Sequence, residues 1–240
     1  MTMAVRSRVT DVGEQRGPAG VDTRRFFRRW VGWTTLGESA GFAVAAVAGV
    51  VVATREVTGV GVLALLLGAG AVEGALLGVG QVLALRTLPL ARSMLWRWPP
   101  LTALAAVVAW SIGMLPSSLP GLDWSSPSVW TVAGLLGLVL LASIPAAQLI
   151  VLRHAVRRSW RWLPANAAGW LLGIGWTLAV SPLVNATTPL PQLVAWYAAS
   201  GVLMASTVAV ATGLCWVGWL RQGLLVDRPE AIASRWRASS

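Results

Sequence analysis

The chain has 240 residues, 56% of them hydrophobic and only 12% charged, with a formal net charge of +10 and a mean hydropathy of +0.68. A soluble domain carries roughly 45–50% apolar and about 25% charged residues, and a water-soluble globule of this length cannot hide so much apolar surface. That balance excludes a soluble enzyme, a disordered chain and a disulfide scaffold, and leaves an integral membrane protein.

A helical span needs about 20 mostly apolar residues to cross a hydrocarbon core of about 30 Å. Taken in chain order, six segments qualify: 31–53, 58–85, 100–117, 129–152, 163–183 and 193–220. The third is the weakest, because Pro99-Pro100 and Pro116 confine it. The second and sixth are long enough to tilt. Residues 1–30 and 221–240 form arginine-rich tails on either side of a 31–220 membrane domain, and no loop is large enough for a soluble domain. The first apolar run is too long for a cleavable signal and is expected to remain as an anchor.

All 19 basic residues are arginines. They fall in the N-terminal tail (Arg6, Arg8, Arg16, Arg24, Arg25, Arg28, Arg29), after span two (Arg86, Arg92, Arg97), after span four (Arg153, Arg157, Arg158, Arg161) and in the C-terminal tail (Arg221, Arg228, Arg235, Arg237). These four segments share one side of a six-span chain, with only Arg55 opposite. The positive-inside rule therefore predicts a multi-pass protein of the cell membrane with both termini cytoplasmic. The same imbalance explains the charge without nucleic acid. The expected partners are the bilayer and its anionic headgroups, each arginine near the surface contributing about 1 kcal/mol, with a membrane-protein partner or a second copy left open. The Ala/Val/Leu/Gly-rich, lysine-free usage points to a GC-rich bacterial genome.

Spans two, four and six each end in Leu-Arg: Leu85-Arg86, Leu152-Arg153 and Leu220-Arg221. Spans one, three and five each begin beside a tryptophan: Trp30, Trp98 and Trp162. Gln81-x4-Arg86 recurs as Gln148-x4-Arg153, and in the third copy Trp216 takes the glutamine's place. The reading is an all-α six-helix membrane bundle of three two-helix hairpins, about 31–86, 98–153 and 162–221. Each hairpin leaves on the side it entered, so the copies are parallel, related by an axis along the membrane normal. Gly37-xxx-Gly41, Gly70-xxx-Gly74-xxx-Gly78 and Gly169-xxx-Gly173 present small faces for close helix packing. Trp30, Trp33, Trp96, Trp98, Trp160, Trp162, Trp216 and Trp219 are expected as a cytoplasmic girdle, and Trp124, Trp130 and Trp196 as an outer one.

Chemistry inside the membrane is confined to a few polar residues. Glu38 lies about 12 Å in from Trp30, and Glu73 about 20 Å in from Arg86, near the midplane, at the helical rise. A carboxylate at such depth must be protonated, paired or facing water. The two are candidate coupling residues, or hydrogen-bonded carboxyls in helix contacts, with Arg86 as a partner for Glu38. Thr34, Thr102 and Asn166 stand four residues beyond the leading tryptophans, and Gln81 and Gln148 five before the closing arginines. All five share one layer, either as interhelical glue or as a cytoplasmic-side vestibule ringed by Arg86, Arg153 and Arg221 for an anionic ligand or lipid headgroup. His154 is the only histidine and Cys215 the only cysteine. No catalytic constellation, metal set or cofactor motif is expected, and Asp123 and Trp124 read as an ordinary solvated loop. The Asn185-Ala186-Thr187 sequon is too common to weigh.

The Gly70/Gly74/Gly78/Gln81/Arg86 pattern, its echo at Gln148 and Arg153, and Thr35-x-Gly37-Glu38-x2-Gly41-Phe42 resemble a group of uncharacterised bacterial multispanning proteins with tandem Q-x4-R hairpins. That resemblance implies the fold and carries no activity. Three parallel hairpins are also similar to mitochondrial carriers, but the carrier signature P-x-[DE]-x-x-[KR] is missing from every odd span, and their function is not carried over. The expected role is a non-enzymatic structural or accessory membrane component. The alternative is a small transporter or substrate-binding component with Glu38 and Glu73 coupling. A cavity shared by both glutamates would favour the alternative.

Overall fold

The structure, a computed structural model, describes residues 21–55, 57–119, 121–185 and 187–226. Arg6, Arg8, Arg16, Arg228, Arg235 and Arg237 lie outside the described residues, as do most of both tails and Ala186 of the sequon. Among the described residues the chain is helical, with no strand: α1 (Thr23–Thr54), α2 (Val60–Leu85), α3 (Arg92–Gly113), the single turn α4 (Leu115–Ser118), α5 (Pro127–Leu152), α6 (Trp162–Val180) and α7 (Leu190–Arg221). Short 3-10 turns flank α6 at Ser159–Arg161 and Ser181–Leu183.

Five of these helices are long and apolar enough to cross a membrane: α1, α2, α5, α6 with its flanking turns, and α7. The third expected span, α3, is a helix of 22 residues that falls outside this set. Arg92, Arg97 and Pro99-Pro100 dilute its apolarity. Each long helix packs on the next along the chain, α3 between α2 and α5, and α7 returns to α1. Spatial order is therefore chain order closed on itself.

Two helices begin earlier than expected. α1 starts at Thr23, inside the segment read as tail, because Asp22 caps it by accepting the Arg25 backbone N–H at 2.9 Å; such a bond satisfies one of the free donors at a helix start. Its first turns bury Phe26 and Trp30 and leave Arg24, Arg25, Arg28 and Arg29 outside. Likewise α3 starts at Arg92 rather than near residue 100, with Pro99 and Pro100 inside the helix. Proline in a helix leaves the carbonyl four residues back without its N–H. Gly78 of α2 makes room for this segment: a Cβ there would stand 2.6 Å from the Pro99 Cα.

The burial pattern inverts that of a soluble protein. Leu138, Leu171 and Leu178 are about two-thirds exposed, while Thr34, Gln81, Thr102, Gln148 and Asn166 are no more than 1% exposed. Helices apolar on their outward faces and polar within suit a hydrocarbon solvent. The largest apolar core sits at the arginine-bearing end, where Phe26, Leu85, Trp98, Leu152, Trp162 and Trp216 cluster. The segment after α7 folds back on that end: the Arg157 N–H donates to the Leu224 carbonyl (2.8 Å) and the Val226 N–H to the Ala155 carbonyl (2.9 Å).

Candidate functional site

At the arginine-bearing end, Trp30 and Trp98, in the early turns of α1 and α3, and Trp162, at the start of α6, each donate the indole N–H to the helix that precedes theirs around the ring. Trp98 Nε1 donates to Gln81 Oε1 (2.7 Å) and Trp162 Nε1 to Gln148 Oε1 (2.9 Å). Trp30 Nε1 donates to Thr212 Oγ1 (3.0 Å). Gln148 Nε2 donates in turn to Gln81 Oε1 (2.8 Å) and Thr102 Oγ1 (2.9 Å). The expected polar layer thus comes together as a network through Gln81, Thr102 and Gln148. Thr34 Oγ1 and Asn166 Nδ2 are buried at corresponding depths and make no hydrogen bond.

Three expectations change here. The cytoplasmic girdle divides, because Trp30, Trp98, Trp162, Trp216 and Trp219 are buried, whereas Trp33, Trp96 and Trp160 are exposed like Trp124, Trp130 and Trp196. The buried indoles meet edge to face, with Trp162 centred 6.0 Å from both Trp30 and Trp98 and 6.2 Å from Trp216. Trp30, Trp98 and Trp162 have an N–H partner inside and so no need of the interface, whereas the Trp216 and Trp219 N–H groups are buried without one. Second, Trp216 occupies the glutamine's register in the third hairpin but not its role; Thr212, one turn earlier, accepts the tryptophan bond. Third, the layer is no vestibule: its side chains are sealed under the aromatic cluster, and Arg86, Arg153 and Arg221 stand exposed at the rim.

Beyond this seal, toward the opposite end, lies a cavity of about 460 Å³. All six long helices line it, and its wall runs from Glu38 and Glu73 past Trp110 and Trp170 to Gly113 and Ser117, which are exposed. Glu73 is level with Gly41, where a Cβ would stand 2.7 Å from the Glu73 Cα. Glu38 is one turn closer to the seal and faces Glu73. Glu73 Oε2 accepts the Trp110 indole N–H at 2.8 Å. Both oxygens of Glu38 are buried without a hydrogen-bond donor, and no arginine acts on the group. The pairing of Glu38 with Arg86 is therefore not formed.

The glycine stripes are consumed inside the chain. A Cβ on Gly74 would meet the Ala106 Cβ at 2.5 Å, and one on Gly37 the Leu76 carbonyl oxygen at 2.5 Å. On Gly169 it would meet the Ala211 Cβ at 3.1 Å. In the exposed loop before α5, Ser125 donates its hydroxyl (2.6 Å) and backbone N–H (2.9 Å) to Asp123, which holds that carboxyl below the usual carboxylate range.

Sequence reasoning missed Thr212, Trp110 and Trp170. A signal existed for the last two: they are mid-span tryptophans that belong to neither girdle. Comparison with protein-family models, with curated proteins and with solved structures finds no match to this chain.

Proposed function

We propose that the chain is a non-enzymatic, multi-pass protein of the cell membrane, with six spans in three parallel hairpins and both termini cytoplasmic. Within it the central cavity is a ligand site, so that the protein acts as a small transporter or substrate-binding membrane component. The observation that carries this reading is the cavity of about 460 Å³ that reaches both intramembrane glutamates. Its volume falls in the roughly 300–1,000 Å³ range of small-molecule sites. A purely structural bundle would be expected to satisfy its buried carboxyls, since an unpartnered buried polar group costs about 1–3 kcal/mol. Glu38 accepts from no N–H or hydroxyl and has only the Glu73 carboxyl beside it. The glycine faces that would have served a partner are filled by neighbouring helices of the same chain.

In this reading the cavity is open on the side away from the arginines and closed on the arginine side. The closure is the Trp–Gln–Thr layer, and passage would require the Trp30–Thr212, Trp98–Gln81 and Trp162–Gln148 bonds to part. The exposed Arg86, Arg153 and Arg221 hold the closed end at anionic headgroups. The test is sided labelling with a membrane-impermeant maleimide in a Cys215→Ser background. Ser117→Cys is expected to react only from outside, and Thr102→Cys from neither side. Equal labelling of Thr102→Cys and Ser117→Cys, or reaction of Ser117→Cys only from the cytoplasmic side, would overturn the arrangement.

A further inference from the structure

The chemistry of the cavity wall points to one class of ligand. Apart from the two glutamates, the titratable group on the lining is Tyr197 of α7; α3, α5 and α6 contribute none, and no arginine lines it. Among the described residues the wall carries the carboxyl pair and one unpartnered donor, the Trp170 indole N–H. Glu38 is fully buried against Glu73, its oxygens accepting from no N–H or hydroxyl, and Glu73 has one oxygen engaged by Trp110. Leu141 of α5 also lines the wall. The rest of the wall is apolar and rich in π faces: Phe42, Trp110, Trp170 and Tyr197. Aromatic faces attract a cation within about 6 Å, and a desolvated carboxylate adds the countercharge.

We propose that the cavity binds a lipophilic organic cation, its apolar body among the aromatic rings and its charge against the Glu38–Glu73 pair, in exchange for a proton. This rests on the reading of the cavity as a ligand site and names what that site selects. Two carboxylates facing each other in apolar surroundings without a cation repel strongly, so the empty site keeps a proton. The exchange balances as carboxylic acid plus organic cation giving carboxylate–cation pair plus a released proton. No other bond forms or breaks. The pair meets the ligand's charge through Glu73, the more exposed of the two, which Trp110 anchors, with Glu38 fully buried behind it, nearer the seal.

The experiment compares two ions of one shape and opposite charge, tetraphenylphosphonium and tetraphenylborate, by calorimetry on the full chain in neutral detergent. The phosphonium is expected to bind and the borate not. Titration in two buffers of different ionisation enthalpy should report release of about one proton per cation. Glu38→Gln should weaken phosphonium binding about tenfold or more, as loss of a charged partner requires, while remaining monodisperse on size exclusion. Leu141→Trp, which fills the cavity and leaves both glutamates, should abolish it. If both ions bind equally and Leu141→Trp removes both, the cavity is a ligand site without charge selection: the cation proposal falls and the proposed function stands. If neither ion binds, or Leu141→Trp changes nothing, both fall.

Discussion

At the scale of single residues, Gln148 and Glu38 occupy opposite ends of the same accounting. Gln148 is fully engaged, donating to Gln81 and Thr102 and accepting from Trp162. Gln148→Leu leaves the Trp162 indole N–H buried without an acceptor. It is expected to lower unfolding stability in detergent by about 1–3 kcal/mol, more than the ~0.6 kcal/mol average for a single interhelical bond in lipid. A thermal melt indistinguishable from the parent would mean the network is not formed. Glu38 is the reverse, with two oxygens that have no donor. Glu38→Gln brings an N–H that can reach the Glu73 carboxyl and removes a carboxylate pair. The melting temperature should hold or rise even as ligand binding is lost; a clear fall would mark Glu38 as structural. A group that is better replaced for stability is the expected signature of a site kept for function. Glu73 was legible as a deep carboxyl, but that its Oε2 is engaged by Trp110 while Glu38 is free depends on which helix faces which.

At the scale of elements, the closest approach is that of α1 to α2. Gly80 faces the Trp33 carbonyl and Gly37 the Leu76 carbonyl, so backbone meets backbone and no side chain can yield. Gly37→Val should therefore cost about 1–3 kcal/mol by overpacking, read as a lower melting temperature and a broadened size-exclusion peak. Gly134→Ala and Gly137→Ala, on α5 with nothing within 4 Å of an added Cβ, serve as the contrast: alanine favours helix over glycine by up to about 1 kcal/mol, so stability should be unchanged or higher. All these positions sit in glycine-rich apolar runs, and the sequence does not distinguish them. At the start of α1, Asp22→Ala should destabilise by about 1 kcal/mol through loss of the cap. That signal was present in the sequence, in an aspartate just before the Arg-rich, Phe26- and Trp30-bearing turns, but the charges drew the segment into the tail. In α3 the two prolines shortened the expected span, since proline ends helices in general; the glycine opposite that admits them lies in another helix.

At the scale of the whole molecule, the arginines and the tryptophan–amide layer gather at one end and the cavity faces the other. Tags at the two termini should both be protected from protease in sealed right-side-out vesicles and both be cut in inside-out ones; opposite behaviour of the two ends would remove the six-span reading. This arrangement follows from the solvent: in hydrocarbon, apolar side chains gain nothing by turning inward, so the interior goes to groups that need partners. Composition, five of the six expected span positions, the distribution of arginine along the chain and the depth of the polar residues were legible in the chain itself, because hydropathy and helical rise are properties of consecutive residues. Which indole was to be buried and which left at the surface, and that Glu38 and Glu73 share one cavity, were decided by how neighbouring helices face one another, and that Thr212 rather than Trp216 completes the layer by the closing of α7 onto α1. Such pairings depend on helix rotation and on close approaches between distant glycines, and no local pattern encodes either.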